Sequence, residues 1–234
     1  MLLAKTSILP VVFLSSGLCF ALCGCSGLTT GSTAACGPTY AQQNTAGAVG
    51  INIPTYGGTA IAQSFTISNN ITLKSITLPL TFKGSIPSGN YLTLTLQSDA
   101  GGSPSGVTLA TATYDIPTTS TTSSAPGFVS NTQPTQATFT FTTPAVLAVS
   151  TVTTTPSPTP SASPSPVVTG VATVFWIVVD ASYPQSATNY ASWAGWQGTG
   201  YYTSGQALYE TSTPGTFSNA LIGVLETLDM TFGC

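Results

Sequence analysis

The chain has no histidine and no arginine, and charge of either sign is scarce. Only 4% of its 234 residues are charged, three Lys/Arg against six Asp/Glu, for a net charge of −3. A typical soluble domain carries about 25%. Each gap removes a class of chemistry. Without histidine there is no Ser-His-Asp or Cys-His nucleophile and no imidazole acid–base work. Zinc sites built on nitrogen and sulfur ligands lose half of their donors. The cations are Lys5, Lys74 and Lys83 alone. Phosphate neutralisation therefore fails, so nucleic acid is not a fitting partner, and a polybasic membrane contact is ruled out for the same reason. The acids are Asp99, Asp115, Asp180, Glu210, Glu226 and Asp229. A glycosidase needs two of them flanking one bond, and Glu210 with Glu226 is such a pair to consider. Read singly, they are solvated carboxylates at strand ends. No catalytic residue, cofactor or metal is assigned from the sequence, and the chain is not read as an enzyme.

A helical stripe with caps is also missing from every window. The longest apolar run is short: Ser7 to Leu22, after the single charge of Lys5. A membrane span needs about 20 apolar residues. A charged start followed by such a run has the form of a secretory signal. It ends in Leu22-Cys23-Gly24-Cys25-Ser26. These residues resemble the bacterial lipobox, Leu-x-Gly/Ala-Cys. The resemblance implies cleavage before Cys25, several acyl chains on that cysteine and stable membrane anchoring. One acyl chain alone holds only reversibly. Cys19 and Cys23 lack a small residue before them and fit the pattern poorly. Ser26 follows the anchor where Asp would retain it, which in Gram-negative lipoproteins implies the outer membrane, facing the surface or the periplasm. The alternative is an ordinary cleaved signal with incidental cysteines.

Cysteine is scarce beyond that point. Once residues 1–24 and the anchor are set aside, Cys36 and Cys234 remain. An exported chain meets an oxidising compartment, so an even pair suggests a disulfide. Closing so long a loop stabilises by about 4–5 kcal/mol in the chain-entropy model, less any strain. The alternative is two free thiols.

What is abundant is threonine, serine, glycine and proline. Residues 25–57 read as a lipid-anchored flexible tether, with order beginning near Cys36. From 58 to 234 the pattern is that of one domain. Leu92–Leu96, Thr138–Thr142 and Leu228–Phe232 alternate apolar and polar at period 2, the signature of half-buried strands. Further strands are predicted at Ala62–Ser68, Ile71–Phe82, Thr108–Ile116, Ala145–Val152 and Val171–Asp180. Val174–Val179 is apolar on both faces and should be central. Turns separate them at Ser68–Asn70, Pro87–Asn90, Ala100–Gly106 and Thr213–Gly215. Many short strands with Gly/Pro turns indicate an all-β fold: a single antiparallel, jelly-roll-like β-sandwich. Residues 153–170 carry prolines at 156, 158, 160, 164 and 166. Such a segment cannot be a strand and reads as an extended loop insertion between two strands.

Four landmarks come in order: Ala62–Phe65 with Ile71–Leu78, Leu94–Gly106, Phe139–Phe141 with Phe175–Asp180, and Asn189–Trp193. Together they resemble the "choice-of-anchor" β-sandwich modules of bacterial extracellular proteins. The resemblance covers roughly residues 58–234 and implies a jelly-roll-like domain on an anchored surface protein. The insertion departs from that pattern, where this hairpin is short.

The strongest local signal is aromatic. Tyr190, Trp193, Trp196, Tyr201 and Tyr202 lie among Gly, Ser, Thr, Asn and Gln. Ring faces beside hydroxyls and amides suit a sugar, and Tyr and Trp also anchor protein interfaces. The same rings could instead fill the core. Asp99 with the Gly-rich 100–106 segment offers calcium-type oxygens, but one carboxylate is a poor cage and a simple turn explains it. Two readings remain. The first is a lipid-anchored surface binding module that recognises glycan through the aromatic loop. The alternative is a structural or adhesive envelope protein with no small ligand, which a flat sheet face lined by Thr and Tyr would favour.

Overall fold

A computed structural model gives the fold, and it describes residues 47–50, 60–84, 86, 88–116, 134–154, 167–186, 189–196, 205–218 and 227–234. Fourteen strands follow one another in the chain: β1 Gly47–Gly50, β2 Ala60–Ile67, β3 Ile71–Lys83, β4 Tyr91–Asp99, β5 Pro104–Asp115, β6 Thr135–Leu147, β7 Ser150–Thr154, β8 Val167–Val171, β9 Thr173–Ala181, β10 Tyr190–Trp196, β11 Ala207–Glu210, β12 Phe217–Ser218, β13 Thr227–Leu228 and β14 Thr231–Gly233. All pairings are antiparallel. The protein is an all-β sandwich, and among the described residues no helix occurs.

One sheet runs β1-β10-β3, with β6 on the far edge of β3; β13 pairs with the end of β10, and β14 continues the lane of β10 beside β3. The other runs β12-β11-β2-β9-β4-β5. The chain passes between the two sheets from β1 to β2, β2 to β3, β3 to β4, β5 to β6, β9 to β10, β10 to β11 and β12 to β13, which gives the jelly-roll-like arrangement. Alternation sets the core as expected. Leu92, Leu94 and Leu96 of β4, Phe139 and Phe141 of β6, and Ile76, Leu78 and Leu80 of β3 all point between the sheets. Phe65 packs on Phe232 at 4.8 Å and on Phe175 at 5.9 Å, tying β2 to β14 and β9. Val174–Val179 lies in β9, which is flanked by β2 and β4, so the doubly apolar strand is central. Its second face carries Trp176 and Val178, which form a smaller cluster with Ala60, Ala62 and Leu208.

Four boundaries differ from the sequence reading. Residues 153–170, expected to hold no strand, supply the end of β7 at Thr153–Thr154 and most of β8 at 167–170, because the prolines begin only at 156 and end at 166. Gly47–Gly50 is a strand against β10, so the tether expected over 25–57 gives way to sheet by Gly47. Glycine, alanine and valine carry no alternation there, and the partner strand decides. The strand expected at Ala145–Val152 is split. β6 ends at Leu147, Asn70 Oδ1 takes the Val149 N–H at 2.9 Å, and β7 starts a separate ribbon with β8. The run Leu228–Phe232 is also split. Leu228 pairs with Gly195 of β10, whereas Thr231 pairs with Thr77 of β3. The chain crosses lanes at Asp229 and Met230. Pro79, which has no N–H to give, falls between Leu80 and Thr77, the last residues registered with β10 and β14. The signal at 1–24, Cys25, Cys36 and the prolines of the insertion lie outside the described residues.

Candidate functional site

The crossover between β13 and β14 gathers the most unusual polar chemistry in the described residues. Three hydrogen bonds hold its backbone. The Asp229 N–H donates to Ala194 O at 3.0 Å, and Trp193 Nε1 donates to Asp229 O at 2.7 Å. The Leu228 N–H donates to Gln63 Oε1 at 2.7 Å. Gln63 belongs to β2 of the opposite sheet and is 0% exposed, so this bond crosses the core. Its own amide donates to Ser64 O at 2.9 Å, and Ser64 Oγ accepts the Gln206 N–H at 2.7 Å. A buried amide satisfied at both ends in this way costs little to enclose.

The side chain of Asp229 is the exception. It is 3% exposed, and Oδ2 has no partner among the described residues. Antiparallel neighbours face the same side of a sheet. Asp229 is bonded opposite Ala194, so it shares a face with Ala194, Ser192 and Tyr190. Ser192 is registered with Thr81 of β3. Ser192 and Thr81 are 1% and 5% exposed, and neither hydroxyl has a partner among the described residues. Three orphaned oxygens from three segments thus occupy neighbouring positions on one buried face. Burial pushes the Asp229 carboxyl up to about 7.

The aromatic residues singled out by sequence divide at this strand. Tyr190 and Trp193 are 1% and 0% exposed. Trp193 fills the main core and Tyr190 lies buried on the opposite face of β10. The expectation that these two rings present a stacking surface is corrected: a ring with no exposed face cannot cover a sugar. Trp196 ends β10 with its backbone paired to Thr227, and its side chain, like Tyr201 and Tyr202, lies outside the described residues. Cys234 is disulfide-bonded; every other cysteine of the chain lies outside the described residues.

No family model matches this chain, and neither does any curated protein or solved structure.

The other candidates resolve into structure. Asp99 accepts the Trp176 indole N–H at 2.8 Å and the Gly102 N–H at 3.1 Å, so its carboxylate closes the β4–β5 turn. Gly102 has φ 92°, a left-handed conformation that side chains disfavour, which explains glycine there. Asp180 lies within reach of the Glu210 charge at the end of the second sheet. Burial raises the Asp180 carboxyl, the Ala181 N–H opposes that, and the Glu210 charge adds to it. Glu210 itself accepts the Gly215 N–H of the next turn. Among the described residues no group of three or more His, Cys, Asp or Glu could hold a metal.

A second surface is ordinary in chemistry but regular in form. On the outer face of the first sheet, Thr231, Thr77 and Thr138 stand side by side on β14, β3 and β6. The Thr77 and Thr138 hydroxyls are 2.9 Å apart and share a hydrogen bond. Thr138, Thr140 and Thr142 are exposed along β6. The second sheet repeats the motif, with Thr93 opposite Thr113 and Thr95 opposite Thr111. The sequence reading named a Thr- and Tyr-lined sheet face as what the structural alternative would favour; which threonines align across strands depends on register.

Proposed function

We propose that the chain is a lipid-anchored envelope protein of structural or adhesive type, which meets another extracellular protein through a threonine-lined sheet face. The row Thr231–Thr77–Thr138, extended by Thr140 and Thr142, carries this reading. Methyl and hydroxyl groups alternate there without a charge to desolvate, so a partner surface can approach at low cost. Acylation at Cys25, a Cys36–Cys234 disulfide, outer-membrane sorting and the likeness to choice-of-anchor modules complete the proposal. It assigns the chain no catalysis. The glycan reading loses support because Tyr190 and Trp193 are core residues.

Cosedimentation of the purified protein with isolated cell-envelope sheets tests the reading. Binding should be abolished by protease treatment of the sheets, survive glycosidase treatment, and fall sharply in a Thr138→Lys/Thr140→Lys variant. Loss on glycosidase treatment, with the variant still bound, returns recognition to a glycan and to the segment around 196–202.

A further inference from the structure

The C-terminal residues 227–233 act as a strap across the first sheet: β13 is held by β10, β14 is held by β3, and Asp229 lies at the step between them. The strap's backbone contributes three buried hydrogen bonds at that step, to Ala194 O, from Trp193 Nε1 and to Gln63 Oε1. A carboxylate enclosed at the same place needs a cation or several donors to remain charged. Among the described residues Oδ2 is bonded to neither. The positions that share its face are filled by Ala194, Ser192 and Thr81, and two of these are hydroxyls able to accept as well as donate. Tyr190 on β10 is the titratable group that faces the same side among the described side chains, and its register partner on β3 is Lys83. Ala194, the residue bonded to Asp229, lies four positions along β10 from that pair. β1, β13 and β14 contribute no ionisable residue, and Glu226 lies outside the described residues.

We propose that Asp229 is a proton-dependent latch: as the neutral acid it locks the strap into the first sheet, and its ionisation loosens residues 227–233. The neutral acid has an O–H to donate toward the hydroxyl-bearing face, which the carboxylate lacks. The direction follows from burial, which raises this carboxyl to about 7. A group bound more tightly to its proton in the folded state stabilises that state at low pH, and the benefit is lost as pH rises through the folded value. The protein is therefore held more firmly as the surroundings become acidic and opens at its C-terminal edge as pH rises through neutrality. Cys234, being disulfide-bonded, limits the opening to a local one.

Hydrogen exchange of the full-length chain, expressed as protection factors so that the intrinsic pH dependence is removed, reads the strap directly. Protection at Leu228, Thr231 and Phe232 should drop at least about tenfold between pH 5 and pH 8, while β9 keeps its protection. The Asp229→Asn variant should hold strap protection constant over that range. If the variant does not fold, the carboxyl carbon shift of Asp229 in the unaltered protein decides, with an expected midpoint near neutrality. Strap protection independent of pH, an unchanged pH profile in Asp229→Asn, or a titration midpoint in the ordinary carboxylate range each overturns the proposal.

Discussion

Each sheet contains a tryptophan whose indole N–H is given to an aspartate, and the two pairs are built in opposite ways. In the second sheet Trp176 Nε1 reaches the side chain of Asp99, and that carboxylate is exposed and also receives the Gly102 N–H. In the first sheet Trp193 Nε1 reaches the backbone carbonyl of Asp229, and the carboxyl itself is left buried without a described partner. One acid works as an exposed acceptor at the rim. The other spends its backbone on the tryptophan and keeps its side chain for the interior. The same two residue types thus give a turn anchor in one place and a titratable lock in the other, and water access decides which.

The largest effects should come from the tryptophans. Removing a buried tryptophan side chain costs about 3–5 kcal/mol. Trp193→Ala should fall at the upper end, because it empties the main core and orphans the buried Asp229 carbonyl. Trp176→Ala should cost less, because the smaller cluster loses contacts while exposed Asp99 returns to water. Urea denaturation of both variants measures the order, and a Trp176 variant weaker than the Trp193 variant would remove the distinction drawn between the two sites.

Protonation comes next. Asp229 is raised by burial to about 7 from an ordinary value of 3.8, so the folded state holds the extra proton between those limits. Stability should be greatest below that window, decline across it and level off above about pH 7. The melting temperature should drop by several degrees between pH 4.5 and pH 8, and Asp229→Asn should flatten the decline. Asp99→Asn should leave it in place. If both substitutions flatten it equally, burial is not what separates the two acids.

The fold was legible where a strand had one wet face. Leu92–Leu96 and Thr138–Thr142 alternate, and each lies inside the strand it implied. Strand β10 was not legible. Tyr190, Ala191, Ser192, Trp193 and Ala194 are buried on both faces, yet their mixture of rings and small polar groups has the composition of an exposed binding loop. The small residues Ala191 and Ala194 beside the large rings were the available hint of close packing. Asp229 was hidden for the opposite reason. Alternation in Leu228–Phe232 put it on the outer face correctly, but nothing local shows that this part of the face is enclosed. Gln63 likewise sits at a core position of β2, and its burial is acceptable only because Leu228, 165 residues away, supplies a donor.

A smaller effect tests the rim pair. Asp99→Ala strands the indole N–H of Trp176, a residue 1% exposed, and opens the Gly102 turn. An unsatisfied buried donor costs about 1–3 kcal/mol. The loss should sit near the lower bound, since the turn is close to water. Chemical denaturation gives the value. A Trp176 emission shift towards the red should accompany it as the ring gains solvent.

The smallest effect is expected where neither tryptophan nor aspartate is involved. The sequence reading put the proline-rich insertion at 153–170 and had it project from a hairpin end. β7 and β8 are registered from Ser150 opposite Val171 to Thr154 opposite Val167, so the ribbon is complete before residue 155 and after residue 166. β7 is exposed along its whole length, with Val152 at 49%, so the ribbon adds little to the core. It is anchored at its base, where Ser150 N–H donates to Thr173 Oγ1 at 2.6 Å. Replacing residues 155–166 by Asn-Gly should close the ribbon with the two-residue turn that suits antiparallel strands. Shortening a loop recovers about 0.6 kcal/mol per halving, so the ribbon gains at most about 1.5 kcal/mol. Because a ribbon whose β7 side chains are all exposed can open without unfolding the sandwich, most of that gain stays local. The melting temperature should move by no more than about 2 °C, given roughly 2–4 °C per kcal/mol at this chain length. A loss several times larger, with reduced β-sheet circular dichroism, would mean that the insertion packs on the sandwich. The ribbon would then belong with the two tryptophan sites as part of what holds the sheets together.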